Sequence, residues 1–488
     1  MSTILLLLGL PAAGSLLCGL VHRRWLLETA TLASSGSTFF AALWLASQTA
    51  EGRTLVALGD WLFADGLSSY VAAIVSGSAF VVSLYSLGYL RKQIRRRKVD
   101  ARQLWLYYLL LNIFLFTMML VLLSNNLGFL WIGTEATTLA TAFLVAFYER
   151  ESSIEAAWKY VIICSVGIAL ALFGVILTYF SALHVVPPTA NALNWSTLML
   201  SAKDLDPAVL KLAFIFILVG FGTKAGLAPM HTWKPDAYSQ APAPISALMA
   251  AGLVNVALYS LMRFYILTNK AVGGSFAPSL FIIFGLLSMG IAVPFIWIQS
   301  DFKRLLAYSS VEHVGIIVFA LGLGTPLALF GALLHLLNNS IAKTLLFLTV
   351  GNVRMAYNSR LVRKVTGAVK VIPVSATFLI VGVFALTGWP PFGVFVSEFA
   401  IVSASFSSNN VAAGFLFLGF LAAVFVGFIY YTARMVLGEP RTPVAGGDAN
   451  VMSLLLLGLL ATGLLLLGIY IPHALQQGIQ NAVSILEG

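Results

Sequence analysis

The sequence predicts an all-α polytopic membrane protein of about fourteen transmembrane helices, and three observations carry that expectation. Hydrophobic residues make up 60% of the 488-residue chain and charged residues only 9%, with a mean hydropathy of +0.95, so the charged surface of a water-soluble domain is missing. Apolar runs of roughly 20 residues, each enough for a helix to cross a hydrocarbon layer about 30 Å thick, recur along almost the whole chain. Two longer apolar segments are interrupted at mid-length by Gly and Pro, and each carries an ionisable residue beside the interruption.

The expected spans are roughly 2–21, 27–48, 65–89, 104–124, 126–148, 155–182, 208–238, 242–268, 277–299, 303–323, 326–352, 371–405, 410–438 and 450–472. The first has the length of a signal peptide but neither a basic region before it nor a clear small-residue cleavage site after it, so it reads as a retained span. His22-Arg23-Arg24, the 91–102 loop, Glu149-Arg150-Glu151, Lys234, Lys303-Arg304, the Arg354 to Lys370 loop and Arg434 with Arg441 all fall on one side. The opposite loops hold scattered charges such as Arg53, Lys203 and Lys270. Lys and Arg collect in cytoplasmic loops, so the chain is expected in a prokaryotic cytoplasmic (inner) membrane with both termini extracytoplasmic. The same rule explains the formal charge of +10 and the run Arg91 to Lys98 as a cytoplasmic loop, with no nucleic-acid partner. Cys18 and Cys164 lie inside apolar spans and read as packing residues. The longest external loop, Ser181 to Asp206 with Pro187-Pro188, has little hydrophobic pattern.

Grouping the spans divides the chain into 1–103 with three transmembrane helices, 104–268 with five, 269–440 with five, and 441–488 with a last helix and a short tail. The broken segments are then the fourth member of each five-helix unit, and an odd number of spans per unit inverts the second relative to the first. The first break holds Lys224 inside Gly222-Thr223-Lys224-Ala225-Gly226; the second holds Gly388-Trp389-Pro390-Pro391 ahead of Glu398. Interrupted helices free backbone groups that only a polar cavity satisfies, so paired breaks point to a transport site.

An ionisable side chain at the bilayer centre costs about 2.5–3.5 kcal/mol, so each one needs a partner, a cavity or a task. Glu135, flanked by apolar sequence, is expected to pair with Lys224, as a switchable carrier or as a static bond between helices. His335, Asn339 and Lys343 recur at i, i+4 and i+8, which lines them on one helical face over about 12 Å, either as a proton relay or as packing glue. Of the adjacent Glu312 and His313, which point to different faces, His313 is taken to line the path. Asp301 and Lys303 read as a charged helix end at the interface. No His, Cys or carboxylate spacing suggests zinc, haem or an iron-sulfur cluster, and no nucleotide fingerprint occurs, so no cofactor or metal is expected and redox chemistry is assigned elsewhere.

The stretch Phe221 to Ala237, with Lys224-Ala225-Gly226-Leu227-Ala228-Pro229 and His231-Thr232-Trp233-Lys234-Pro235-Asp236, resembles the antiporter-like subunits of respiratory complex I, group 4 membrane hydrogenases and Mrp-type antiporters. Gln240 to Leu248, Gln299 to Ser310 and Gly388 to Gly393 follow the same family order, so the resemblance covers about residues 65 to 440. Val311-Glu312-His313 and Asn339 are most similar to hydrogenase-4 component F.

The resemblance implies a proton-translocating, non-catalytic part of a hydrogenase-4/formate hydrogenlyase-like or related redox complex, with other membrane subunits and a peripheral redox module as partners. The alternatives it leaves are a cation/proton antiporter component of an Mrp-type assembly and a membrane subunit of an inorganic-carbon uptake complex. By matching motif, Glu135 resembles the carboxylate that pairs with the pumping lysine, Lys224 that lysine, His335 and Lys343 the central relay, and Glu398 the charge of the second broken helix. Asn255 departs from the pattern, standing where many relatives have a lysine or histidine that links the halves. An amide does not titrate, so either water bridges the gap, with Asn255 and Asn339 as a water-bridged link, or the route is altered.

Overall fold

A computed structural model describes residues 2–187, 191–408, 410–440 and 447–487; Pro188 and Arg441 lie outside them. In order, the helices are α1 (Ser2–Leu20), α2 (Arg24–Thr49), α3 (Gly66–Arg95), α4 (Ala101–Leu123), α5 (Leu127–Val145), α6 (Glu151–Ala182), α7 (Trp195–Leu200), α8 (Pro207–Ala225), α9 (Trp233–Gln240) and α10 (Ala243–Leu248). They continue as α11 (Val254–Val272), α12 (Phe276–Trp297), α13 (Phe302–Leu323), α14 (Pro326–Tyr357), α15 (Ala368–Val371), α16 (Pro373–Leu386), α17 (Gly393–Ser407), α18 (Val411–Val436), α19 (Val451–Ile469) and α20 (His473–Glu487).

Among the described residues, twelve helices are long and apolar enough to cross a membrane, counting α10 and α11 with the π-turn Met249–Leu253 between them as one. The more polar α2 and the pair of shorter apolar helices α16 and α17 occupy the other two expected spans. The chain is therefore an all-α polytopic membrane protein.

Helix starts follow local chemistry. Asp100 caps α4 through the Gln103 backbone N–H while the Gln103 side chain returns a bond to the Asp100 backbone, and Asp206 caps α8 just before Pro207. Helices that are apolar all round belong inside a bundle, and α13, flanked by α12 and α14, has its most apolar window wholly buried, as does the α10–α11 span. The outer helices turn Leu16, Phe40, Phe143, Trp158, Phe415 and Leu455 outward, where lipid is their solvent.

The glycine-rich stretches pack helices tightly, as their place in apolar spans suggests. A Cβ on Gly220 would lie 2.5 Å from the Ala171 side chain, joining α8 to α6, and one on Gly315 would lie 2.6 Å from the Gly285 carbonyl, joining α13 to α12.

Three elements escaped the sequence reading. A short antiparallel hairpin, β1 (Leu55–Ala57) with β2 (Leu62–Ala64), fills the loop before α3. The loop from 181 to 206 contains α7. The tail is an amphipathic helix, α20, whose Ile479, Ala482, Val483 and Leu486 are buried where it packs on α3 and α14. That i, i+3, i+4, i+7 spacing was present in the sequence. The N-terminal helices are tied to the centre by a buried ion pair: Arg263 of α11 donates from Nη1 and Nη2 to the two Asp65 carboxylate oxygens, each at 2.7 Å, with its guanidinium 4.3 Å from the centre of the Trp195 ring.

Candidate functional site

The first break forms because α8 ends at Gly226, whose φ of 82° lets the backbone turn left-handed and return its N–H to the carbonyls of Gly222 and Thr223. Lys224, in the last turn of α8, is fully buried. Its ammonium donates to Thr138 Oγ1 at 2.7 Å and to Tyr160 OH at 2.9 Å. Thr138 in turn donates to Glu135 Oε2 at 3.2 Å, and Ser165 donates to Glu135 Oε1 at 2.6 Å. The Glu135–Lys224 pairing expected from sequence thus runs through one hydroxyl. Glu135 itself is only half-buried, at the seam of α5 and α6.

Lys234 overturns its sequence assignment. The cation that read as an interfacial loop charge is fully buried at the start of α9. Its ammonium donates to Ala225 O at 2.6 Å, at the carbonyl end of broken α8, and reaches Ser310 O of α13 at 3.4 Å. A helix C-terminus carries partial negative charge, so the broken end of α8 offers a buried cation its counter-charge. Lys234 lies within electrostatic reach of Cys164, beside Lys224, and also of His313 and Lys343. It therefore stands between the Lys224 cluster on α8 and the His313 and Lys343 cluster on α13 and α14. Lys303 is likewise buried, donating to Ala241 O at 2.6 Å, while Asp301 caps α13 and pairs with Arg360 at 2.5 Å.

The central stripe is one buried face of α14. Lys343 donates to Ser309 Oγ and, at 3.3 Å, to Leu306 O of α13. His335 Nε2 meets His313 Nδ1 at 2.8 Å, and His335 Nδ1 meets Ser397 Oγ at 3.0 Å. Ser397 gives its own hydrogen to Val394 O at 2.8 Å, so it must accept from His335 Nδ1–H. A neutral His335 then carries its lone pair on Nε2, which accepts from His313 Nδ1–H. Asn339 is buried on the same face with its Oδ1 unpaired, and Asn255 donates to Ser340 Oγ at 2.7 Å, linking α11 to α14. Glu312, set aside in favour of His313, is equally buried, has an unpaired Oε2 and lies within electrostatic reach of Lys343.

At the second break Gly388 has φ 65°, and the Glu398 carboxylate lies against the glycine so closely that a Cβ there would collide with Oε2. The first break repeats the device: a Cβ on Gly226 would lie 2.7 Å from the Lys234 ammonium. Each break thus sets a left-handed glycine against one buried ion, Lys234 in the first and Glu398 in the second. Glu398 also lines a cavity of about 380 Å³ with Thr387, Gly388 and Trp389. His313, His335 and Glu398 have ligand atoms within 4.8 Å of one another, a group that chain spacing could not reveal because it comes from three helices.

Residues 124–426 match the family model described as NADH:quinone oxidoreductase/Mrp antiporter, TM. A hydrogenase-4 component F homolog from Methylacidiphilum infernorum is 36% identical over 431 residues, covering 88% of this chain and 89% of that protein. The Na(+)/H(+) antiporter subunit A1 of Staphylococcus aureus is 28% identical across 88% of this chain, which spans 56% of that longer protein. Among solved structures, a chain of an archaeal membrane-bound sulfane sulfur reductase superposes with TM-score 0.88 at 24% identity, covering 100% of this chain and 98% of that one. A chain of the Dietzia Mrp complex superposes with TM-score 0.87 at 18% identity, covering 99% and 97%. These last two establish a shared fold. With the matched family model and the 36% identical relative, they make this chain a member of the NADH:quinone oxidoreductase/Mrp antiporter transmembrane family.

Proposed function

We propose that this chain is a proton-translocating, antiporter-like subunit of a membrane-bound hydrogenase or related redox complex. It moves protons while partner subunits carry out the electron transfer. The observation that carries the reading is a line of polar groups, half-buried at Glu135 and buried from Thr138 onward: hydrogen bonds join Glu135, Thr138 and Lys224, electrostatic reach joins Lys234, Lys343 and Glu312, and hydrogen bonds join His313, His335 and Ser397 next to Glu398. Buried ionisable groups in a spanning bundle are costly and persist where they serve transport. Asn255 and Asn339 flank the line as amides with unpaired oxygens, which water bridges during transfer.

The parallel glycine–ion contacts support two inverted five-helix units over 104–268 and 269–440, with the three helices of 1–103 and the segment 441–488 packed around them. The third member of each unit, α6 and α14, is 32 residues long and packs on the broken helix. The basic loops support insertion in a prokaryotic inner membrane with both termini extracytoplasmic.

The decisive variant is Lys224→Ala in the intact complex, reconstituted in vesicles. Proton uptake coupled to electron transfer should fall at least about tenfold, equivalent to roughly 1.4 kcal/mol, while the complex still assembles. Unchanged uptake overturns the assignment. The likeness to the Na(+)/H(+) antiporter subunit supports a second reading, cation/proton exchange in an Mrp-type assembly. Sodium-dependent transport in vesicles without an electron donor would select it.

A further inference from the structure

We propose that His313, His335 and Glu398 form a binding site for a divalent transition metal, with zinc the ion that suits it, and that occupancy blocks proton transfer at the second break. The blocking half rests on the proton line described above; the site itself does not. The three residues come from α13, α14 and α17, all are buried, and their ligand atoms lie within 4.8 Å of one another.

The donor set is the first argument. Two imidazoles and one carboxylate are a set that holds zinc in three positions and leaves a fourth open. Bonds of about 2.0–2.2 Å in a tetrahedral site set ligand atoms roughly 3.4 Å apart. His313 Nδ1 and His335 Nε2 face each other at 2.8 Å, so the rings need part by only about half an ångström. Glu398 has an unpaired Oε1 free to turn inward.

Orientation is the second argument. Ser397 accepts from His335 Nδ1–H and is itself anchored on Val394 O, which aims the Nε2 lone pair into the site. A metal-binding histidine is ordinarily held through its other nitrogen in this way. Coordination displaces the hydrogen between the rings, which moves from His313 Nδ1 to its Nε2, so both rings bind as neutral imidazoles.

Charge is the third. Two neutral imidazoles and a carboxylate offset half of a dication, while Lys343, near both rings, opposes the ion.

The test uses the intact purified complex, with Zn²⁺ titrated calorimetrically and Co²⁺ followed by its tetrahedral visible absorption. Wild type should bind one ion more than His335→Ala or Glu398→Gln complexes. X-ray absorption of the difference site should report two imidazoles and an oxygen. Ser397→Ala, which keeps every ligand, should weaken binding about tenfold or more. Equal stoichiometry and affinity in wild type and all three variants overturn the metal site, even where the same variants lose pumping and so uphold the proton line. Site-specific binding that leaves wild-type proton uptake unchanged overturns the block and keeps the site.

Discussion

Lys224 and Glu135 are joined through a single hydroxyl: Thr138 accepts from the Lys224 ammonium at 2.7 Å and donates to the Glu135 carboxylate at 3.2 Å. A relayed pair can pass a hydrogen along its length, and Thr138 is the link that sets its geometry. Thr138→Val keeps the shape but removes the hydroxyl, leaving a buried ammonium short of one acceptor at a cost of about 1–3 kcal/mol. Proton uptake by the reconstituted complex should drop about tenfold in Thr138→Val and stay within about twofold of wild type in Thr138→Ser.

Lys234 and Asn255 offer contrasting tests of where the halves connect. Lys234→Met retains the bulk of a long side chain without a titrating group, so vesicle proton uptake should fall about tenfold or more while the complex remains assembled. Asn255→Leu removes an amide that donates to Ser340 and Ala251 but carries no proton of its own. Its effect on uptake should be smaller than that of Lys234→Met; the reverse order would return the connection to Asn255.

Gly388→Ala joins two penalties, a left-handed backbone at φ 65° and a Cβ driven into the Glu398 carboxylate. The backbone strain alone is worth about 1–3 kcal/mol. Thermal unfolding in detergent should occur at a lower temperature than for wild type, with proton uptake reduced as Glu398 is pushed aside. Gly419→Ala, inside α18 with open space at its Cβ, is the matched control and should lower neither, since Ala favours a helix interior over Gly.

The Asp65–Arg263 pair is a structural anchor. Removing the guanidinium in Arg263→Ala strands a buried carboxylate, which should destabilise the protein by about 3–5 kcal/mol. The double variant Asp65→Asn with Arg263→Met carries no buried charge and should recover much of that loss in the same unfolding measurement.

Several parts of the site were legible in the chain because they are local. The i, i+4, i+8 spacing brings His335, Asn339 and Lys343 to one helical face, and the Gly-rich interruptions do end α8 and separate α16 from α17. Lys234 was misread because a cation beside Pro235 and Asp236 looks like a loop charge; its burial depends on how α9 folds back beneath the broken end of α8. The pairing of His313 with His335 was equally hidden, since 22 residues and a helix turnabout separate them.

By itself the sequence determined the class of solvent, the approximate position of the apolar segments, and the sites at which two of them break. Those follow from side-chain hydrophobicity and backbone constraint, which act over a few residues. Only the tertiary structure decided which polar groups meet inside the bundle: Thr138 between Glu135 and Lys224, Lys234 between Ala225 of α8 and Ser310 of α13, and Glu398 against Gly388 beside the two histidines. In a low-dielectric interior the state of a buried ion is set by the partners packed around it, and those partners come from helices distant in the chain.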